Sequence, residues 1–171
     1  EAEGVDETGQ VRVAGNGMLG YLGETPRGPL HEIATGDLGA FDPDGYLRLH
    51  GRAGNRFITS FGRNVSPEWI ESEVSQRLGG CPVLAQGEAR PYVALLVGAP
   101  PALTEAAILR AIDEANAVLP SYAQVRRWAR VPAGFSRADG TLTANGRLRR
   151  GEILARHQAL LDELYEEAAA S

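Results

Sequence analysis

From residue 66 onward, the chain shows apolar positions with helical spacing. After Ser66 they recur every fourth residue, which is typical of a helix that buries one face. Ser66 suits the N-cap, Pro67 the first helical position, and the glycine pair at 79–80 the end of the helix. Similar spacing predicts a second helix at 104–119 and a third at about 149–167. The residues predicted to face inward are Ile70, Val74 and Leu78, then Ile108, Ile112, Ala115 and Leu119, and finally Ile153, Leu160, Leu161 and Leu164.

The first fifty residues show strand patterns and no helical period. Val11 and Val13 alternate with polar neighbours, as in a strand with one buried face. A tight turn is predicted at 42–45, where proline presets φ at the second position and glycine tolerates the close of the turn. The flanking runs at 38–41 and 46–50 are therefore predicted to pair as a hairpin.

Three short strands lie between the predicted helices. In the last of them, simple alternation would place Arg126, Trp128 and Arg130 on one side. The order of elements after residue 66 is helix, strand, strand, helix, strand, loop, helix, which predicts helices packed on a three-stranded sheet. The strands are predicted at 83–86, 92–97 and 125–131.

These patterns predict an α+β fold in two parts. Residues 1–51 are interpreted as the end of a β-rich subdomain, and 55–171 as a small domain with a three-stranded sheet and flanking helices. The residues at 52–54 are predicted to connect the two parts. The sequence begins with glutamate and its one methionine is Met18, so we expect it to be a piece of a longer polypeptide.

Composition and charge argue against several classes of function. The single cysteine, Cys81, excludes an internal disulfide and favours a reducing compartment, so a cytoplasmic location is expected. No apolar run approaches the length of about 20 residues needed for a transmembrane segment. All 17 basic residues are arginine, and eight of them lie at 126–156. The net charge of −5 and the absence of a nucleic-acid-binding module nevertheless argue against nucleic acid as a partner. The three histidines show no ligand spacing, so no metal site is predicted.

Asp37 is the first candidate site residue. It lies between Gly36 and Leu38, just before the hairpin, where a carboxylate could accept two hydrogen bonds from the hydroxyl groups of a sugar diol. The local pattern alone also permits a simpler role, in which the Asp37 carboxylate caps a turn. The local sequence leaves both roles open.

Four motifs extend the argument along almost the whole chain. They are a Gly-Tyr segment at 17–22, the acidic turn and hairpin at 35–52, a loop and helix start at 57–71, and a last block at 135–136 and 139–150. In this order and with this spacing they resemble the acyl-adenylate-forming superfamily, which includes acyl-CoA synthetases, luciferases and the adenylation domains of peptide synthetases. The last block is most similar to that of long-chain fatty acyl-CoA synthetases.

The resemblance implies a role for three residues in and just after the hairpin segment. Asp37 would bind the ribose of ATP, and Arg52 would add a second contact to the same sugar. Gly54 matches the hinge about which the small domain rotates relative to a large N-terminal domain. The family more often has Asp or Lys at the hinge, so glycine there is a departure.

The resemblance also implies roles for two loops of the small domain. Gly62, Arg63 and Asn64 would line the channel for the pantetheine arm of coenzyme A, although the same loop also leads into a well-capped helix. Arg147 stands where the family has a lysine that bridges the attacking carboxylate and the phosphate oxygens, and is therefore the predicted catalytic residue. Arginine keeps the positive charge, but its planar fork is not interchangeable with an ammonium group.

The function implied is that of the C-terminal part of an ATP-dependent fatty acyl-CoA ligase. The fatty acid, ATP with Mg²⁺, and coenzyme A would be its small-molecule substrates and cofactors, and the absent N-terminal domain of the same polypeptide its partner. The isolated piece is expected to be inactive, because the triphosphate loop and the acyl pocket belong to that domain. Two alternatives stay open: an adenylating enzyme that loads an acyl carrier protein, and a non-catalytic regulatory module with the same fold.

Overall fold

The computed structural model describes residues 2–5, 10–14 and 32–166. The predicted Gly-Tyr segment at 17–22 lies outside these residues. The chain divides into two compact units, Glu1–Arg56 and Phe57–Ser171. The interpretation of 52–54 as a hinge between two domains stays a prediction. Among the helices in the described part of the chain, none is long and apolar enough to cross a membrane.

The first unit contains the strands β1 (Ala2–Val5), β2 (Gln10–Ala14), β3 (Glu32–Phe41) and β4 (Leu47–Arg52), which form one antiparallel sheet in that order. The predicted hairpin is confirmed as β3 and β4. Its turn is held by Asp42, whose Oδ1 accepts hydrogen bonds from the backbone N–H groups of Asp44 at 3.1 Å and Tyr46 at 2.8 Å. Strand β3 begins six residues before the predicted start, because its first half pairs with β2, as in Ala34 opposite Arg12.

The second unit is an α+β domain, as predicted. Its central sheet has the order β7-β8-β9, with β7 and β8 antiparallel and β8 and β9 parallel, so the chain crosses over from β8 to β9 through a helix. A separate two-stranded hairpin, β5 with β6, precedes the first helix. In chain order the elements are β5 (Phe57–Ile58), β6 (Asn64–Val65), α1 (Pro67–Arg77), β7 (Val83–Gln86), β8 (Val93–Val97), α2 (Glu105–Asn116), β9 (Val125–Arg130), α3 (Arg150–Arg156) and α4 (Gln158–Glu166).

The central sheet separates two apolar clusters. Along β8, Val93, Leu95 and Val97 belong to the cluster under α1 and α2, whereas Ala94 and Leu96 belong to the cluster under α3 and α4. Helices therefore cover both faces of the sheet, and the periodic apolar residues of the sequence are what they bury. The first cluster includes Ile70, Val74, Leu78, Ile108, Ile112, Ala115 and Leu119, and the second Ile153, Leu161 and Leu164, with Leu160 packed against it.

The prediction of one continuous last helix is wrong. Two helices, α3 and α4, meet at His157, whose φ of −116° and ψ of 22° lie outside the helical range. The backbone N–H of His157 still donates to Ile153 O at 3.0 Å, and its ring makes an edge contact with the ring of Phe135, with centroids 6.4 Å apart. Neither glycine nor proline marks the break, so the local sequence gave no signal for it.

A bulge in β9 overturns the simple alternation predicted for that strand. Val125 pairs with Val93, but the next partner, Ala94, pairs with Arg127, so one extra residue lies on β9. Trp128 packs against the first cluster and Ala129 against the second. Because the extra residue shifts the alternation, Val125 and Trp128 belong to the same cluster, although simple alternation would place them on opposite sides.

Removing a side chain from the second cluster should destabilise the whole unit. Ile153 is fully buried, at 0% exposure, so Ile153→Ala is expected to lower the free energy of unfolding by about 2–5 kcal/mol. Leu109→Ala, at a helix position that is 48% exposed, should change it by no more than about 0.5 kcal/mol. Urea unfolding followed by the fluorescence of Trp69 and Trp128 measures both, and equal losses would contradict this account of the core.

Candidate functional site

Asp37 and Arg52 are brought into contact at one end of the β3–β4 hairpin. They are partners in the strand register, and Arg52 Nε donates a hydrogen bond to Asp37 Oδ1 at 3.1 Å. The backbone N–H of Asp37 donates to Thr35 Oγ1 at 3.0 Å, and that hydroxyl donates to Val11 O at 3.0 Å. Because Asp37 lies within β3, the turn-capping interpretation is wrong. The pair presents a carboxylate and a guanidinium side by side on a partly exposed surface.

Gly54 lies in a single 3₁₀ turn, Ala53–Asn55, directly after β4. Its backbone is not in the left-handed region, and a Cβ added to it would meet no heavy atom within 4 Å. The observed conformation therefore does not require glycine at this position. If the protein requires glycine at position 54, the requirement must come from a different backbone conformation of this residue.

The predicted pantetheine residues lie on the β5–β6 hairpin. Gly62 closes its turn with a φ of 72°, a left-handed conformation that favours glycine, and its N–H donates to Thr59 O at 2.9 Å. The guanidinium of Arg63 lies 6.0 Å from the ring centroid of Tyr122, a cation–π contact. Asn64 is exposed at the start of β6, and Phe61 at the tip is 75% exposed. The hairpin thus presents polar and aromatic groups on a fixed backbone.

Arg147 lies on a second hairpin, between β9 and α3. Leu142 and Leu148 form an antiparallel bridge, and Thr143 closes the turn, since its N–H donates to Arg147 O at 2.8 Å and its Oγ1 accepts from Arg147 N at 3.0 Å. Gly146 N–H donates to Thr143 O at 2.9 Å. The backbone of Arg147 is therefore fixed. Its side chain is exposed, and within the described ranges its guanidinium has no hydrogen bond or ion pair.

The base of this second hairpin is an acidic turn that the sequence did not single out. Thr141, at 0% exposure, donates its N–H to Asp139 Oδ1 at 2.8 Å, and its hydroxyl is also within hydrogen-bond distance of that oxygen. These bonds, with smaller effects from Ser136 and Arg156, lower the pKa of Asp139 to about 2. The ionised carboxylate thus fixes the turn that leads into the hairpin.

A second missed feature joins Glu71 to Arg150. Glu71 Oε1 accepts hydrogen bonds from the Arg150 guanidinium and from Ala85 N–H, the latter at 2.8 Å. Burial raises the pKa of Glu71, and the positive charge of Arg150 opposes that effect. The partners of Glu71 lie on β7 and α3, so its carboxylate holds three elements together. In the sequence, the only local sign of this role was that the charged Glu71 directly follows Ile70, which is buried.

The structure therefore brings Asp37 and Arg52 together, and places residues 62–64 and Arg147 on two separate hairpins of the second unit. Within the part of the chain that the structure describes, no three His, Cys, Asp or Glu side chains converge as metal ligands would. The available chemistry is that of paired charges, exposed guanidinium groups and two fixed turns.

Comparison with known proteins gives this geometry a family. A family model described as the AMP-binding enzyme C-terminal domain matches residues 55–169. A protein of Mycobacterium tuberculosis named as the fatty-acid–CoA ligase FadD11 is 31% identical over 159 residues, covering 78% of this chain and 27% of that protein. The long-chain-fatty-acid–CoA ligase FadD15 of the same species is 24% identical, covering 77% of this chain and 26% of that protein. The chain thus spans about a quarter of the length of these relatives.

The fold is also similar to that of solved adenylating enzymes. The A-PCP didomain of the carboxylic acid reductase from Segniliparus rugosus, in complex with AMP, aligns with a TM-score of 0.63 at 21% identity. The alignment covers 82% of this chain and 21% of that one. At this level of identity the likeness establishes the fold.

The acidic turn should make stability depend on pH in a defined range. The pKa of Asp139 is lowered from 3.8 to about 2 by folding, so the ionised group stabilises the folded state above about pH 4, and this contribution is lost as the pH falls toward 2. Asp139→Asn keeps an acceptor without the charge, so wild type should be more stable at pH 6 and approach the variant near pH 2. Denaturant unfolding across this range measures the difference, and a constant difference would contradict the assignment.

Proposed function

Because this chain belongs to the family of the AMP-binding enzyme C-terminal domain, we propose that it is the C-terminal part of an ATP-dependent fatty acyl-CoA ligase. The two relatives from M. tuberculosis are named as fatty-acid–CoA ligases, and the chain matches only the last quarter or so of such a protein by length. The proposal includes a large N-terminal domain in the same polypeptide, which would contain the acyl pocket and the triphosphate site. A cytoplasmic location is part of the same proposal.

The proposed reaction has two steps. In the first, a carboxylate oxygen of the fatty acid attacks the α-phosphorus of ATP, so that acyl-AMP forms and pyrophosphate leaves. In the second, the thiol of coenzyme A attacks the acyl carbon, so that a thioester forms and AMP leaves. Mg²⁺ would accompany ATP, and we assign it no residue of this chain.

Asp37 and Arg52 are proposed to hold the ribose in the first step. A carboxylate with one oxygen bonded to Arg52 and the other without a partner among the described residues can accept a hydroxyl hydrogen bond. Arg52, whose side chain is 72% exposed, has further N–H groups for a second contact with the sugar. The antiparallel register keeps the two groups at a fixed separation.

The second step is proposed to follow rotation about Gly54, with residues 62–64 then lining the path of the pantetheine arm. Support for the pivot is that the observed turn does not require glycine. A Cβ at position 54 would meet no heavy atom within 4 Å, so no neighbouring side chain restricts this residue in the observed state. Support for the channel is the left-handed turn at Gly62, which presents main chain without a side chain next to the exposed Phe61.

The observation that carries the proposal is the Arg147 hairpin. Its backbone is held by hydrogen bonds on both sides, while its guanidinium is exposed and has no partner within the described residues. A positive charge on a rigid support, kept free of internal ion pairs, is suited to stabilising negative charge that develops on a substrate. The carboxylate and phosphate oxygens of the first step are such groups.

Loss of the ribose acceptor should weaken the use of ATP. In the full-length protein, Asp37→Ala is expected to reduce kcat/KM for ATP roughly 10- to 150-fold, because a charge-assisted hydrogen bond is worth about 1.5–3 kcal/mol. Asp44→Ala is the matched control, since Asp44 is an exposed carboxylate on the same hairpin whose side chain has no hydrogen bond or ion pair among the described residues. The rate of pyrophosphate release as a function of ATP concentration measures the effect of both variants. Equal effects would mean that Asp37 does not bind the ribose.

Restricting the proposed pivot should separate the two steps. Proline at position 54 fixes φ near −65°, so a hinge that must adopt two backbone states would be held in one of them. Gly54→Pro is therefore expected to impair thioester formation while acyl-AMP formation survives, and Gly54→Ala should affect neither, because its Cβ has open space. Equal losses in both steps, measured separately, would place the pivot elsewhere.

Arg147 provides the decisive experiment. Arg147→Ala is expected to reduce acyl-AMP formation by about 10²-fold or more, because it removes charge aimed at the transition state. Conversion of pre-made acyl-AMP and coenzyme A to acyl-CoA should be nearly unchanged, and Arg147→Lys should retain activity. Unchanged adenylation in Arg147→Ala would overturn the assignment. A wild-type protein that adenylates no fatty acid would favour the non-catalytic module, and one that transfers only to a carrier protein would favour the other alternative.

A further inference from the structure

The hairpin that carries Arg147 is attached to the rest of the unit at both of its ends. On the first side, Thr141 O accepts a hydrogen bond from Arg149 N at 2.8 Å, and Thr141 is itself fully buried. On the other side the chain enters α3 at Arg150, three residues after Arg147. Leu142 and Leu148, which form the bridge of the hairpin, pack against the second cluster. The position of the Arg147 backbone is therefore decided by these two attachments.

Arg150 makes the second attachment through a closed set of hydrogen bonds. Its Nη1 donates to Ala85 O at 2.8 Å, and its Nη2 donates to Glu71 Oε1. The same Glu71 oxygen accepts from Ala85 N–H at 2.8 Å, so both backbone groups of Ala85 are bonded to the pair. Ala85 is fully buried in β7, and the Glu71 side chain is only 12% exposed. The start of α3 is thus fixed to a buried part of the sheet.

We propose that Glu71 and Arg150 are positioning residues that hold the Arg147 hairpin in its working place. This inference rests on the proposed function, since it concerns the aim of Arg147. The geometry suits an arginine, because its planar guanidinium donates from Nη1 to a carbonyl oxygen and from Nη2 to a carboxylate oxygen at once. A displacement of about 1 Å in a reacting group can cost about 10²-fold in rate. Loosening this attachment should therefore lower the rate of the step that uses Arg147.

The experiment uses the full-length protein and measures the two steps separately. Arg150→Ala is expected to lower kcat for acyl-AMP formation roughly 10- to 100-fold, with KM for ATP within about twofold. Thioester formation from pre-made acyl-AMP should change by less than about threefold, because Arg147 is not used there. Arg150→Lys, which keeps the charge but loses the fork, should lie between wild type and Arg150→Ala. It also serves as the informative variant if Arg150→Ala does not fold.

Arg90→Ala is the matched control. Arg90 pairs with Asp162 at 2.7 Å in the same unit, with both side chains 40% exposed, but it has no link to the Arg147 hairpin. Its loss should leave the ratio of the two steps unchanged. If Arg90→Ala and Arg150→Ala lower both steps in the same proportion, Arg150 has only a structural role and the inference is overturned.

A double-mutant cycle separates this inference from the proposed function. If Arg150 acts through Arg147, Arg150→Ala should have no further effect on adenylation in an Arg147→Ala background. Effects that multiply would mean that the two residues act independently, which overturns the inference. If Arg147→Ala alone leaves adenylation intact, the proposed role of Arg147 is wrong, and the positioning role that rests on it is wrong as well. If Arg147→Ala impairs adenylation and neither Arg150 variant does, only the positioning role is wrong.

Discussion

The second unit depends on one strand that is apolar on both faces. All five residues of β8 are buried, and they alternate between the two clusters, so each helix layer rests on the same strand. Burial of a Val or Leu side chain stabilises the folded state by about 1.5–3 kcal/mol, and β8 contributes on both sides of the sheet. The two hairpins of this unit, which carry residues 62–64 and Arg147, are attached to this support through the two apolar clusters.

The sequence predicted those features that local spacing encodes. The stripe of Ile70, Val74 and Leu78 and the turn at Asp42 specify their structure within a few neighbouring residues, and each was found in place. Ser66 occupies the predicted N-cap position, but its side chain makes no capping hydrogen bond. The match of the family model to 55–169 likewise agrees with the resemblance carried by the motifs.

Features that arise from contacts between distant segments could not be predicted in this way. The break at His157 has no local helix breaker, and its ring contacts Phe135. The bulge in β9 is visible only in its register with β8. Glu71 and Arg150 are 79 positions apart, so no local sequence pattern near either residue predicts their ion pair. The roles assigned to Asp37, Arg52, Gly54, residues 62–64 and Arg147 stay predictions, because geometry alone does not identify a substrate.

The topology of the sheet has a consequence for synthesis of the protein. The helices that cover the second cluster are the last described elements of the chain, whereas the strand residues they cover, Leu84, Ala94 and Leu96, are made about 60 residues earlier. On the ribosome, one face of the sheet therefore stays uncovered until α3 and α4 emerge. During that interval the nascent chain exposes apolar surface that chaperones recognise, and a stop codon before residue 150 would leave that surface permanently open.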